Sequence, residues 1–180
     1  MQNKKCWLCG KNEKLEKHHI FGGAYRKSSE KYGLTVDLCG ETCHRTGKQA
    51  AHNNKAVELK LKQYGQKKVM TEQNWSVQDF RLKFGKNYLD TIFVLKIEVG
   101  KLPRTVEVLN DTKAIERELG QSPIITKTKK YIVFSGSGNT NFILNKVPIK
   151  GTAIVCANKD GKISGITATQ TNKWFNYLCE

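Results

Sequence analysis

The stretch of sequence that decides the fold runs from residue 6 to residue 44 and reads CWLCGKNEKLEKHHIFGGAYRKSSEKYGLTVDLCGETCH. It contains two close cysteine pairs and, between them, two adjacent histidines: Cys6 with Cys9, Cys39 with Cys43, and His18 with His19. Thiols at these spacings are typical of tetrahedral zinc sites, which stabilise folds with a small core. We therefore predict a structural zinc on the four cysteines; four cysteines without a metal are the alternative.

The histidines indicate a second kind of metal chemistry, and all four lie within the first 52 residues: His18, His19, His44 and His52. The first two lie in residues 15–20, a short strand-like stretch in which neighbouring side chains point to opposite faces. One imidazole can therefore bind a cation while the other faces a phosphate. His44 follows a cysteine of the zinc site directly, and His52 reaches the same metal if residues 45–48 form a turn. The alternatives are surface histidines, or a histidine that serves as the fourth zinc ligand.

The charge of the chain predicts a polyanionic partner. Its 180 residues include 31 Lys and Arg against 16 Asp and Glu, a net charge of +15, and the isoelectric point is about 9.6. Nucleic acid is the usual partner of so basic a chain, although general solubility is the alternative. Four basic residues in predicted loops flank the histidines and are candidates for phosphate contacts, or else are solvated surface charges: Arg26, Lys27, Arg45 and Lys48.

The N-terminus and the hydropathy pattern predict a cytoplasmic protein with no membrane partner. Residues 1–5 lead directly into Cys6 without an apolar leader segment. No apolar stretch approaches the length that spans a bilayer. Thiols stay reduced in the cytoplasm, where close cysteine pairs more often bind metal than form disulfides.

The patterning predicts an α+β chain with a domain boundary near residue 90. In the first half we predict a loop over residues 21–29, a strand over 34–38, a helix from Lys48, and a second helix capped by Ser76 and ended by Gly85. In the second half we predict five strands and two helices: strands 91–99, 104–108, 131–134, 141–144 and 151–156, a short helix 111–119 and a terminal helix from Thr169.

Residues 1–90 resemble the small phage-encoded nucleases of the HNH superfamily. The segments that carry the resemblance are CWLCG, LEKHHIFGG, SSEKYGLTVDLC, CHRTGKQAAH and FGKNYL. The resemblance implies a zinc-braced ββα-metal domain that cleaves DNA with a divalent cation. It also implies roles for the histidines: His19 as the general base, His18 and His44 as ligands of the catalytic cation, and His52 as a further ligand.

The sequence departs from the HNH pattern at two positions. The middle Asn of the motif is absent, and residues 33–35 read Gly, Leu and Thr instead. That Asn mainly steadies a loop, so its loss weakens the motif more than the mechanism. The first motif residue, often Asp, is His18 here. A site built from imidazoles alone suits zinc, nickel or manganese as much as magnesium.

Residues 91–180 resemble a small uncharacterised domain of phage and bacterial accessory proteins, through segments such as IEVGKLPRTVEV and IKGTAIV. We predict a small mixed α/β domain that positions the nuclease on DNA or on a host or phage protein. A phage-encoded protein of this kind acts in the cytoplasm of its bacterial host. Two other functions stay open: a catalytically silent zinc-braced module that binds nucleic acid or blocks a host defence, and a ligand binder that acts through residues 91–180.

Overall fold

A two-stranded antiparallel ribbon and three helices form the first part of the computed structural model, which describes residues 4–179. In chain order the elements are β1 (Leu15–His19), a 3₁₀ turn (Gly23–Tyr25), α1 (Arg26–Lys31), β2 (Thr35–Cys39), a π-helical turn (Gly40–Arg45), α2 (Lys55–Gln73) and α3 (Val77–Phe84). The register of the ribbon pairs Leu15 with Cys39 and His19 with Thr35. The ribbon therefore carries a cysteine at one end and the histidine pair at the other.

The chain divides between Leu89 and Asp90 into two compact units. We call residues 4–89 the N-terminal unit and residues 90–179 the C-terminal unit. Both units combine helices with antiparallel strands. The predicted α+β class is confirmed.

The ends of α3 follow from its terminal residues. The hydroxyl of Ser76 accepts a hydrogen bond from the N–H of Asp79 at 3.1 Å, and the Asp79 carboxylate accepts one from the N–H of Ser76 at 2.9 Å. This reciprocal capping box satisfies two donors that a helix start leaves unpaired. Gly85 ends the helix at φ 73°, a conformation that favours glycine. Both predicted caps are confirmed.

Two local predictions for the N-terminal unit are wrong. Residues 21–29, predicted as a loop, include the 3₁₀ turn and the first four residues of α1. The helix predicted from Lys48 begins at Lys55, because the side chain of Asn54 accepts hydrogen bonds from the N–H groups two and three residues further on, at 3.0 and 3.2 Å. His52 consequently lies in a turn before α2.

Aromatic packing joins the helices to the end of β1. Phe21 is 2% exposed, and its ring centroid lies 4.6 Å from that of Phe84 and 5.6 Å from that of Phe80. Helix α2 also packs closely against this part of the chain, at Gly65. A Cβ atom added to Gly65 would lie only 2.8 Å from Cγ2 of Ile20. The close approach of α2 therefore fixes the chain immediately after the histidine pair.

We expect Gly65→Ala to destabilise the N-terminal unit, although alanine is the better helix former by about 1 kcal/mol. The new Cβ would also lie 3.0 Å from Cε2 of Phe21, so two buried side chains would have to move. Overpacking of this kind typically costs about 1–3 kcal/mol. Urea unfolding followed by tryptophan fluorescence measures the change, since Trp7 and Trp75 both lie in the N-terminal unit. Lys67→Ala, at an exposed position of the same helix, is the control, and a Gly65→Ala variant more stable than the wild type would contradict the packing.

The C-terminal unit is a six-stranded antiparallel sheet with a separate hairpin and two helices. Its elements are β3 (Thr91–Ile97), β4 (Arg104–Leu109), α4 (Thr112–Leu119), β5 (Ile124–Lys127), β6 (Tyr131–Ser135), β7 (Thr140–Leu144), β8 (Val147–Lys150), β9 (Ala153–Lys159), β10 (Lys162–Ser164) and α5 (Ala168–Cys179). The main path of the sheet is β4-β3-β9-β6-β5, with β10 on β9, while β7 and β8 pair with each other.

The two faces of this sheet are covered by different elements. Ile115 and Leu119 of α4 pack with one apolar cluster of strand residues. Trp174 of α5 and Phe142 of the β7–β8 hairpin pack with the other cluster. The five predicted strands and both predicted helices are present within a few residues of their expected bounds, while β5, β8 and β10 were not predicted.

Candidate metal centres

Four cysteine sulfurs converge in the N-terminal unit, and we call them the cysteine cluster. They come from the N-terminal turn, from the end of β2 and from the π-helical turn: Cys6 and Cys9, Cys39, and Cys43. All four Sγ atoms lie within 4.8 Å of one another, and the residues are free cysteines. The Sγ atoms of Cys9 and Cys39 are 3.6 Å apart. The predicted grouping of these four thiols is present.

Backbone hydrogen bonds hold the N-terminal turn against β2. The N–H of Trp7 donates to the carbonyl of Asp37 at 2.9 Å, and the N–H of Gly10 donates to the carbonyl of Cys6 at 2.8 Å. The N–H of Cys39 donates to Sγ of Cys6 at 3.4 Å. Donors that face sulfur favour the thiolate form, which is the form that binds metal.

The thiols affect one another's ionisation. Burial raises the pKa of Cys6, but the N–H groups of Cys9, Cys39 and Leu8 outweigh it and lower that pKa to about 6. Burial and the neighbouring Cys9 and Cys6 raise the pKa of Cys39 to about 12. A cation among the sulfurs would offset the repulsion between thiolates. Tetrahedral zinc with sulfur ligands at about 2.3 Å requires sulfur–sulfur distances of about 3.8 Å. The cysteine cluster can therefore hold a structural metal.

Three imidazoles form a second group, which we call the histidine cluster: His18 of β1, His44 of the π-helical turn and His52 of the turn before α2. Their ring centroids lie 4.9–5.1 Å apart. One ring nitrogen from each lies within 4.8 Å of the other two. The spacing of these nitrogens allows a single metal ion to be held by all three.

The histidine cluster is tied to the cysteine cluster through the backbone. The N–H of Ala51 donates to the carbonyl of Cys43 at 2.8 Å, and the N–H of His52 donates to the carbonyl of His44 at 3.2 Å. The turn that precedes α2 is thereby folded back onto the π-helical turn. A metal on the cysteines would therefore steady two of the three imidazoles.

The chemistry of two cluster members suits metal binding at neutral pH. Burial, followed by the charges of His44, His52 and His19, lowers the pKa of His18 to about 4. His18 is therefore neutral at pH 7 and has a free lone pair. Nδ1 of His44 lies 2.7 Å from Oε2 of Glu16. A histidine that gives one ring N–H to a carboxylate presents its other nitrogen to a metal, as metal-binding histidines commonly do.

Glu16 is itself held in place by Arg45. The guanidinium donates to both carboxylate oxygens, each at 3.0 Å. The hydrogen bond from His44 lowers the pKa of Glu16, burial opposes that shift, and Arg45 adds to it. Glu16 is therefore ionised at neutral pH and can only accept, so Nδ1 of His44 is the donor and Nε2 is the ring nitrogen left to bind a metal.

His19 does not belong to the histidine cluster. It is the last residue of β1, and its side chain is 13% exposed. Its Nε2 lies 2.8 Å from Oε1 of Glu30 in α1. The strand thus separates the two neighbouring histidines, since His18 joins the cluster while His19 pairs with a carboxylate.

The four candidate phosphate contacts occupy different settings. Arg26 and Lys27 are exposed in the first turn of α1, rather than in a loop. Lys48 is exposed in the turn that leads to His52. Arg45 is committed to Glu16, which makes it a support of the histidine cluster as well as a surface charge.

Sequence reasoning missed both carboxylates that hold histidines. Glu16 precedes His18 by two positions on β1, and strand alternation puts positions two apart on one face, so the sequence contained a signal for it. Glu30 had no such signal, because its position depends on α1, which was not predicted.

Comparison of the chain with protein-family models, curated proteins and solved structures finds no match. Across residues 4–179, none of the helices has the length and apolar character that crossing a membrane requires.

Proposed function

We propose that the N-terminal unit is a metal-dependent DNA endonuclease of the HNH type, which hydrolyses phosphodiester bonds. The observation that carries this proposal is the convergence of three imidazole nitrogens within 4.8 Å of one another, from His18 of β1 and from His44 and His52 in the two turns that precede α2. The residue after His18 on the same strand is a fourth histidine, His19. The order of two antiparallel strands followed by α2 supports a ββα-metal fold. The net charge of +15 supports a polyanionic substrate.

The cysteine cluster suits a structural metal, and the histidine cluster suits a catalytic one. Zinc on the cysteine cluster braces the fold, since four thiolates form a closed tetrahedral site. His18 and His44 would hold a divalent cation, with His52 as a further ligand; zinc, nickel, manganese and magnesium are the candidates. When bound there, such a cation would polarise the scissile phosphate and stabilise the leaving oxygen.

His19 is the general base of the proposed reaction. Its imidazole takes a proton from water, and the water oxygen forms a new bond to phosphorus. One ester P–O bond breaks, its electron pair stays on the departing oxygen, and that oxygen takes a proton from solvent. An imidazole has a pKa near neutrality and is therefore suited to this transfer. The hydrogen bond between Nε2 of His19 and the Glu30 carboxylate holds the ring in a defined orientation.

Exposed cations near the ribbon are the proposed DNA contacts. Arg26 and Lys27 of α1 and Lys48 before α2 neutralise phosphates, and Arg45 contributes charge while it steadies Glu16. The C-terminal unit is proposed to position the nuclease on DNA or on a protein partner.

Nicking of a supercoiled plasmid tests this proposal. Protein freed of weakly bound metal is given magnesium, manganese, nickel or zinc singly, and we expect cleavage with at least one of them. His19→Ala should retain the fold and both metals but lose about 10²–10⁴-fold in rate, because the proton acceptor is gone.

The His19→Ala protein, purified identically, also controls for contaminating nuclease. Wild-type protein that leaves both supercoiled and single-stranded DNA intact with all four metals would contradict the nuclease proposal. A zinc-braced binding module would then be the better description of the N-terminal unit.

A further inference from the structure

The contact between His19 and Glu30 joins β1 to the short helix α1. Oε1 of Glu30 lies 2.8 Å from Nε2 of His19, and Glu30 is the hydrogen-bond partner of that ring among the described residues. The carboxylate side chain is 54% exposed, while the imidazole is only 13% exposed. The ring is therefore enclosed by protein on most of its surface, and the carboxylate meets it from the solvent side.

A buried serine next to Glu30 links α1 to the chain that follows His19. Ser29, next to Glu30, is fully buried. Its hydroxyl accepts from the N–H of Phe21 at 3.1 Å and donates to the carbonyl of Phe21 at 2.8 Å. Phe21 lies two residues after His19 and is anchored in the aromatic core. The side chain of the residue before Glu30 is thus bonded to the backbone two residues after His19.

Two backbone hydrogen bonds connect the same segments. The N–H of Leu34 donates to the carbonyl of Ser29 at 2.7 Å, and the N–H of Ile20 donates to the carbonyl of Leu34 at 3.0 Å. These bonds connect the end of α1, the start of β2 and the residue after His19. The backbone of Glu30 is therefore held at a defined position relative to that of His19.

The pairing also decides which ring nitrogen carries the proton. A carboxylate can only accept a hydrogen bond, so Nε2 of His19 must be the donor. In a neutral imidazole the other nitrogen, Nδ1, then has the free lone pair. The base could not work through Nε2 without first breaking its bond to Glu30.

Two cations reduce the cost of keeping a carboxylate near a phosphate. The charges of Arg26 and Lys17 both act on Glu30. Arg26 lies four positions before Glu30 on the same helix, and Lys17 lies two positions before His19 on the same strand. A phosphate that approaches His19 therefore meets a carboxylate that has positive charges in its neighbourhood.

We propose that Glu30 is the positioning residue of the His19 base and that it directs proton transfer to Nδ1. This inference rests on the proposed nuclease function and deepens it. In the step, one proton leaves water for Nδ1, the water oxygen bonds to phosphorus and one ester P–O bond breaks. The electron pair of that bond stays on the departing oxygen, which takes a proton from solvent. The resulting imidazolium keeps its other proton on Nε2, facing the Glu30 carboxylate.

Glu30→Gln in the full chain tests the inference. The amide has the same shape, but it can either accept from the ring or donate to it, so it no longer dictates the tautomer. The matched control is Glu72→Gln on α2, since Glu72 is also an exposed helical glutamate with one 2.8 Å contact, to Lys68. Both variants are expected to keep the wild-type fold and metal content.

The first measurement is the tautomer of His19 from ¹⁵N chemical shifts of ring-labelled protein, with the His19 signals assigned by their loss in His19→Ala. We expect the Nε2–H tautomer in the wild type and in Glu72→Gln, and a mixture in Glu30→Gln. The second is nicking kinetics. We expect kcat to fall roughly 10–100-fold in Glu30→Gln with KM unchanged, as for loss of a group that orients a functional histidine.

The two measurements separate the two proposals. A Glu30→Gln protein with wild-type tautomer and wild-type kcat would overturn the role of Glu30, even if the wild type cleaves DNA. A wild type that does not cleave would overturn the nuclease function, while the tautomer comparison would still decide whether Glu30 sets the protonated nitrogen of His19. An Nδ1–H tautomer in the wild type would overturn proton transfer to Nδ1.

Discussion

Cys9→Ser is expected to remove zinc from the cysteine cluster and to unfold much of the N-terminal unit. Cys9 is exposed, so its thiol contributes little to packing. Substitutions at exposed positions usually change stability by less than about 0.5 kcal/mol, whereas loss of a bound metal costs about 4 kcal/mol or more. For a domain of this size each kcal/mol corresponds to about 4–8 °C in Tm. Elemental analysis and thermal unfolding measure the two effects.

Cys156→Ala is the matched control for the loss of zinc. Cys156 is fully buried in the apolar cluster under α4, and burial raises the pKa of its thiol to about 12. It is the more buried of the two cysteines but lies outside the cysteine cluster, so its replacement should leave one zinc per chain. Zinc-free wild-type protein prepared without chelators would contradict the structural site. Unchanged melting of a variant lacking all four cluster cysteines would contradict it equally.

The sequence predicted the cluster cysteines and histidines because their residue types and local spacing are informative in themselves. Cys6 and Cys9 are close along the chain, and Cys43 and His44 are adjacent. Such neighbours share a turn in almost any fold. The carboxylates that hold the histidines from other elements were harder to predict. Glu30 contacts His19 because α1 is held against the end of β1, in part by the buried hydroxyl of Ser29.

The same distinction applies to the helices. The ends of α3 were predictable because Ser76, Asp79 and Gly85 satisfy terminal groups locally. The start of α2 was not predictable in this way. The apolar pattern continues before Asn54, but the backbone N–H groups of Ala51 and His52 donate to the π-helical turn instead of continuing the helix. Tertiary hydrogen bonds therefore override helical periodicity at this point, and they bring His52 to the histidine cluster.

His44→Ala is expected to abolish cleavage while it leaves the structural zinc in place. The variant removes a ligand from the histidine cluster, and Glu16 loses the ring that it orients. A catalytic cation contributes several kcal/mol to the transition state. About 4 kcal/mol corresponds to about 10³-fold in rate, so activity should fall close to background. Plasmid nicking measures the rate, and elemental analysis after dialysis against a divalent metal measures the stoichiometry.

The metal stoichiometry separates the loss of a ligand from the loss of a base. Wild type and His19→Ala should each hold two metals per chain, whereas His44→Ala should hold one. Glu16→Gln serves as the graded variant, because it keeps the imidazole but replaces the carboxylate that accepts from its Nδ1. Disturbing such a partner typically lowers metal affinity or activity 10–100-fold, so Glu16→Gln should lie between wild type and His44→Ala. If His44→Ala kept two metals and wild-type cleavage, the histidine cluster would not be the catalytic metal site. The base function of His19 would then have to operate without a cation held by its neighbour on β1.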